Sequence, residues 1–121
     1  MKIIENEQII CCDVDETLIS WDTYATEQMI VHDPYTNSKK YLRPHNAHIY
    51  LLKSRLERGA TVILWSAGGY KWAEAVAKAL SLTHERIIYM SKPIAYIDDK
   101  PANSWMGEHI YIPIDSKYGN E

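Results

Sequence analysis

The feature that most constrains this chain is an apolar run that stops abruptly on acid. Ile9-Ile10-Cys11-Cys12 leads directly into Asp13-Val14-Asp15-Glu16-Thr17. An unbroken apolar strand needs cover on both faces, so residues 8–12 predict a central strand of a parallel sheet. The same design recurs downstream. Thr61-Val62-Ile63-Leu64-Trp65 ends in Ser66-Ala67-Gly68-Gly69, and Ile94-Ala95-Tyr96-Ile97 ends in Asp98-Asp99. Residues 87–90 and 109–112 are further short strand candidates. Polar, chemistry-capable residues are thereby delivered to the carboxyl ends of strands, the edge at which open α/β sheets bind ligands.

Helical periodicity fills the intervals. Pro44 suits the first turn of a helix to about Arg58, with Ala47, Leu51, Leu52 and Leu56 as its apolar stripe and Tyr50 beside them. Arg55 and Arg58 fit its last turn, and Gly59 its stop. Residues 70–80 predict a second helix, with Ala73, Val76, Ala77 and Leu80 facing inward. Alternating strands and helices predict an α/β fold, a three-layer Rossmann-like parallel sheet with helices on both faces. A chain of 121 residues buries about two thirds of its surface in one core, so residues 1–121 predict a single domain.

Residues 20–42 interrupt this pattern. Trp21, Tyr24, Tyr35 and Tyr41 are scattered among polar residues, and Asp33-Pro34-Tyr35-Thr36-Asn37-Ser38 is rich in turn formers. A flap or hairpin with arms near residues 28–32 and 40–42 is expected. One connection strains the scheme: residues 90–94 are too few for a parallel crossover. Residues 87–90 are therefore either an irregular edge segment or not a parallel neighbour of 94–97. Residues 2–5 predict a short strand or lead-in, and residues 115–121 a frayed tail.

Thirteen Lys plus Arg against sixteen Asp plus Glu give a net charge of −3. That balance supplies no global attraction to nucleic acid or an anionic membrane, so nucleic acid is expected only as a substrate. The apolar runs are too short to span a bilayer, and Met1-Lys2-Ile3-Ile4 is followed at once by polar residues, not a signal-peptide core. A cytoplasmic protein is expected. Cys11 and Cys12 would point to opposite faces of a strand, which disfavours a disulfide and predicts two buried thiols in a reducing compartment. His32, His45, His48, His84 and His109 lack zinc-ligand spacing.

The acids carry the chemistry. Asp13 and Asp15 share one side of an extended chain, and Asp98 with Asp99 would add like charge that only a cation could relieve. Such an oxygen set suits Mg²⁺. A carboxylate can attack phosphorus, and a second acid can protonate the leaving alcohol and then activate water. Ser66 offers a hydroxyl, Ala67 and its following glycines an open backbone, and Lys92 a cation for phosphoryl oxygens.

These residues carry a resemblance. Asp13-Val14-Asp15-Glu16-Thr17-Leu18 resembles the first signature of the haloacid dehalogenase-like (HAD) phosphohydrolases. Ser66 resembles the second, Lys92-Pro93 the third and Asp98-Asp99 the fourth, in the family's order across residues 8–100. The resemblance implies Asp13 as nucleophile and Asp15 as general acid and base. It implies Thr17, Ser66, Ala67 and Lys92 as the phosphate cradle. Mg²⁺ would be held by Asp13, Asp15 and Asp98, with Asp99 supporting. The six-residue step from Lys92 to Asp98 is shorter than in many members, and no interval holds a cap domain.

A small capless phosphomonoesterase is therefore expected, acting through an aspartyl-phosphate on a small or macromolecular phosphorylated substrate. Its open cleft is compatible with a homodimer. Lys39, Lys40, Arg43, Tyr70 and Trp72 are the candidate substrate rim, with Trp65 and Trp105 nearby. A catalytically degenerate binding or scaffold protein is one alternative. A receiver-like phosphoacceptor is another, but its acidic pair comes early and its phosphorylated Asp mid-chain, where this chain has Ser66.

Overall fold

The apolar segments that end in Asp13 and Ser66 pair side by side. In the computed structural model, described over residues 8–21 and 28–113, β1 (Ile9–Asp13) lies parallel to β5 (Thr61–Ser66), Asp13 opposite Trp65. β5 in turn lies parallel to β6 (Ile87–Ser91), with Ser66 opposite Ser91, giving the sheet order β1-β5-β6. The chain is thus a small mixed α/β domain, a parallel sheet flanked by helices. Residues 2–5 and 115–121, with their expected lead-in and frayed tail, fall outside the described residues, as does Tyr24.

Helix α1 (Asn46–Glu57) connects β1 to β5, and helix α2 (Tyr70–Ala79) connects β5 to β6. Both crossovers step the same way across the sheet, so right-handed connections bring both helices to one face. The core follows from that. Cys12, Val62, Leu64 and Ile87 from the sheet pack with Ile49, Leu52 and Leu56 of α1 and Ala73, Val76 and Ala77 of α2.

The expectation that β1 is covered on both faces is corrected by the same geometry. Ile9 is 59% exposed and Ile88 47%, and Cys11 is exposed while Cys12 is buried. Only one of the two thiols behaves as a core residue. No described helix is long and apolar enough to cross a membrane.

The flap expectation holds. β3 (Met29–His32) and β4 (Lys39–Pro44) form an antiparallel hairpin, and β2 (Ile19–Ser20) pairs with the far end of β4. The turn closes through Asp33, whose carbonyl accepts from Asn37 N–H at 2.7 Å and whose carboxylate accepts from Tyr35 N–H at 2.8 Å. Asn37 takes the left-handed conformation, φ 61°, that asparagine tolerates. Pro44 is the last residue of β4 and not part of the helix. The helix starts one step later, with His45 as N-cap, its ring accepting from His48 N–H.

Two expected strands are absent among the described residues. Residues 94–97 are coil, with Ile94 and Ile97 fully exposed. The reason lies in the short connection: Ile87–Ser91 takes the edge beside β5, and a few residues cannot return the chain as a parallel neighbour. Residues 109–112 are likewise not a strand. They form a strap, clipped to α1 by two buried histidines.

His48 Nδ1 lies 2.8 Å from the Thr17 carbonyl, which can only accept, and Nε2 accepts from Ile112 N–H at 2.8 Å. His45 Nδ1 accepts from His48 N–H, so its Nε2 donates to the Ile112 carbonyl at 2.9 Å. The His48 ring therefore has a fixed tautomer, and the two rings stack with their centres 4.0 Å apart. Burial, and secondarily the neighbouring His45, hold the His48 pKa below its ordinary value, against the opposing pull of the Thr17 carbonyl.

The folded protein thus resists a proton that the unfolded chain accepts. Stability is complete above the unfolded value of about 6.5 and falls as the pH drops below it towards the lowered folded value. The urea midpoint should accordingly decline from pH 7.5 to pH 5, with a shallower decline in His48→Gln. Identical slopes for the two proteins would refute the assignment.

Candidate active site

The carboxyl ends of β1 and β5 converge through a tight turn. After Asp13, the N–H groups of Thr17, Leu18 and Ile19 all reach the Val14 carbonyl, at 3.2, 2.8 and 3.3 Å. Val14 and Leu18 are fully buried and anchor this loop, while Glu16 adopts a positive φ of 61°. Asp13, Asp15 and Thr17, next to these anchors, remain part-exposed. Thr17 Oγ1 donates to Asp13 Oδ2 at 3.2 Å, and Lys92 Nζ lies 3.7 Å from Asp13 Oδ1.

Lys92 reaches this position because its N–H continues the β6 ladder, donating to the Ser66 carbonyl at 2.8 Å. The ion pair is half-exposed, Lys92 46% and Asp13 34%, and so contributes little to stability. Its effect is local charge beside the carboxylate.

Asp15 is held from three sides. Ser66 Oγ donates to its Oδ2 at 3.4 Å, and the indole N–H groups of Trp72 and Trp21 both donate to its Oδ1, at 3.1 and 3.3 Å. Ser66 is itself fully buried, and its Oγ accepts from Gly68 N–H at 2.9 Å. Asp13, Asp15, Thr17, Ser66 and Lys92 are thus brought together from three segments. Ala67 lies in the turn between Ser66 and the Gly68 N–H that caps it. Cys12 offers no rival nucleophile. Burial, with the Asp13 carboxylate adding, pushes its thiol pKa up to about 12.

The acidic pair is not gathered in. Asp98 and Asp99 follow the exposed coil, and Asp98 Oδ1 accepts from Lys100 N–H at 3.0 Å. Among the described residues no group of three or more His, Cys, Asp or Glu could hold a metal ion. Asp13 and Asp15 remain, an all-oxygen donor set. Donors of this kind are those that Mg²⁺ takes, one or two carboxylates with water and phosphate completing its shell.

A cleft of about 310 Å³ opens beside Asp15. Trp21 and Trp72 form one wall, stacked with ring centres 6.1 Å apart and planes 14° from parallel. Asp33, Tyr35 and Lys40 from the flap, and Gly68, complete the lining. Of the expected rim, Lys40 and Trp72 line this cleft, while Lys39 and Tyr70 do not. Arg43 does not belong to a rim: it sits opposite Ser20 in the β2–β4 pairing and is 3% exposed. Trp65 is half-buried in β5, and Trp105 packs edge-on against Tyr96 in the exposed segment.

Trp21 and Tyr35 are the residues that sequence reasoning missed. Each appeared only as an aromatic in an irregular stretch, and contacts across 36 and more positions make them functional candidates. Tyr35 Oη accepts from Lys71 N–H at 3.3 Å, and Ser91 Oγ accepts from Tyr70 N–H at 3.1 Å, so hydroxyls satisfy the first turn of α2. The flap can approach so closely because position 69 carries no Cβ. A Cβ there would run into the Tyr35 hydroxyl, and φ is 104°. Gly69→Ala should therefore cost about 1–2 kcal/mol and release the flap. Faster hydrogen exchange in residues 33–38 would register the release, and unchanged protection there would contradict it.

Compared with known proteins, the chain matches no family model, no curated protein and no solved structure.

Proposed function

We propose that this protein is a Mg²⁺-dependent phosphomonoester hydrolase of the HAD-like, capless kind, acting through a covalent aspartyl-phosphate. The observation that carries the reading is the setting of Asp13. It is a half-exposed carboxylate at a strand end, with the Thr17 hydroxyl on one oxygen and Lys92 at 3.7 Å from the other. A second carboxylate, Asp15, stands two residues on and is hydrogen-bonded to Ser66.

In this reading Asp13 attacks phosphorus. The ester P–O bond breaks, and the departing alkoxide takes a proton from Asp15. Water then attacks the phosphoaspartate, Asp15 recovers a proton from that water, and the Asp13–phosphorus bond breaks to release inorganic phosphate. Lys92 and the Ser66 hydroxyl stabilise the charge on the transferring oxygens. Asp13 and Asp15 would hold Mg²⁺, which would supply further neutralisation of phosphate and carboxylate charge.

The site assignment needs no cap. In this reading the leaving group lies in the cleft that Asp15 lines together with Trp21 and Trp72. The test is release of inorganic phosphate from a panel of sugar phosphates, nucleotides, phosphopeptides and phosphorylated nucleic acid ends. Turnover with Mg²⁺, and its loss in EDTA, is the expected result. A folded protein that turns over no member of the panel in Mg²⁺ would refute the reading.

A further inference from the structure

The cleft beside Asp15 has a composition that plain phosphate chemistry does not require. Trp72 stacks on Trp21, a residue that remains 45% exposed and lines the cleft with its indole N–H on the acid. Both indole N–H groups are spent on Asp15, so the rings are held in place by the same carboxylate that would protonate a leaving group. Asp33 and Lys40 also line the cleft, both half-buried and of opposite charge. Asp33 is oriented by the Tyr35 N–H on its Oδ1.

We propose that the cleft is a leaving-group pocket for a nucleoside, so that the preferred substrate class is nucleoside monophosphates. The proposal deepens the hydrolase reading and rests on it for the direction of the leaving group. A volume of about 310 Å³ lies at the small end of ligand sites and suits one base with its sugar. The base stacks on the exposed face of Trp21, an interaction tolerant of base identity because every base has a π-face. Its polar edge and the sugar hydroxyls meet a carboxylate acceptor and an ammonium donor on the flap. A bare phenyl ring, as in phosphotyrosine, would leave Asp33 and Lys40 without partners, and half-buried polar groups left unpaired weaken binding.

The pocket can be tested without turnover. Asp13→Asn protein is titrated calorimetrically with adenosine 5′-monophosphate, ribose 5-phosphate and O-phosphotyrosine. The adenosine ester should bind about tenfold or more tightly than the ribose ester, the range expected for one stacked base. Trp21→Ala in the same background should erase that ratio. Trp21→Phe, which keeps a ring but loses the N–H to Asp15, should preserve most of it, and that separates stacking from an effect on the acid.

Equal affinity for the adenosine and ribose esters, tighter binding of phosphotyrosine, absence of adenosine monophosphate binding, or a ratio that survives Trp21→Ala would each overturn the pocket. Failure of the hydrolase reading shows separately, as absent phosphate release by the unsubstituted protein in Mg²⁺. A nucleotide preference in the Asp13→Asn background would survive that failure as a binding property.

Discussion

On the proposed mechanism, Asp13→Asn is expected to reduce phosphate release by about 10³-fold or more, because it removes the attacking oxygen. The amide is nearly isosteric with the carboxylate. It can still accept from Thr17 Oγ1, and the ion pair of Asp13 with Lys92 is half-exposed and worth under about 1 kcal/mol. Thermal melting should therefore shift by no more than a few degrees. The two readouts together make the test strict. Lost activity with an unchanged melt supports Asp13 as nucleophile, whereas turnover that persists in the variant removes it from that role. A large drop in melting temperature would show instead that Asp13 serves the fold.

Leu64→Ala should do the reverse. Leu64 lies in the central strand β5, fully buried between its partners Cys12 of β1 and Tyr89 of β6. Truncation there removes most of a buried side chain and opens a void that a hydrogen-bonded middle strand cannot collapse to fill. The expected cost is about 2–5 kcal/mol. For a domain of this size that lowers the melting temperature by roughly 8–20 °C, measurable by calorimetry or circular dichroism. The Asp13, Thr17 and Lys92 side chains are untouched, so activity per folded molecule at low temperature should stay close to that of the parent. A loss under about 1 kcal/mol would mean that β5 is not the centre of the core.

The contrast between these two substitutions follows from how the site is built. Asp13, Asp15 and Lys92 stand at or just past strand ends, where the backbone ladder supplies position and their side chains stay partly in water. Residues that hold the ends in place lie one or two positions upstream. Asp13 is preceded by buried Cys12 and followed by buried Val14, and Ser66 by the Leu64 layer.

What the sequence determined by itself was local. The apolar runs before Asp13 and Ser66, the helical periodicity of residues 46–57 and 70–79, and the turn formers at 33–38 each state their conformation within a few residues. β1, β5, both helices and the flap hairpin appeared where those patterns lie. The closeness of Asp13, Asp15, Thr17 and Ser66 was legible for the same reason, since parallel strands in register bring their carboxyl ends to one edge.

Where the sequence misled, long-range geometry had intervened. An apolar tetrapeptide at 94–97 reads as a strand, but Ile87–Ser91 already holds the sheet edge and the link is too short to pass it. Arg43 reads as a surface cation, yet pairing of β2 with β4 buries it. Only the tertiary structure decided the rest: the Trp21–Trp72 wall with both N–H groups on Asp15, Tyr35 docked on the start of α2, and Ile112 clipped between His45 and His48. Each joins residues dozens of positions apart. Such contacts arise from how the layers pack, and no period or spacing along the chain encodes them.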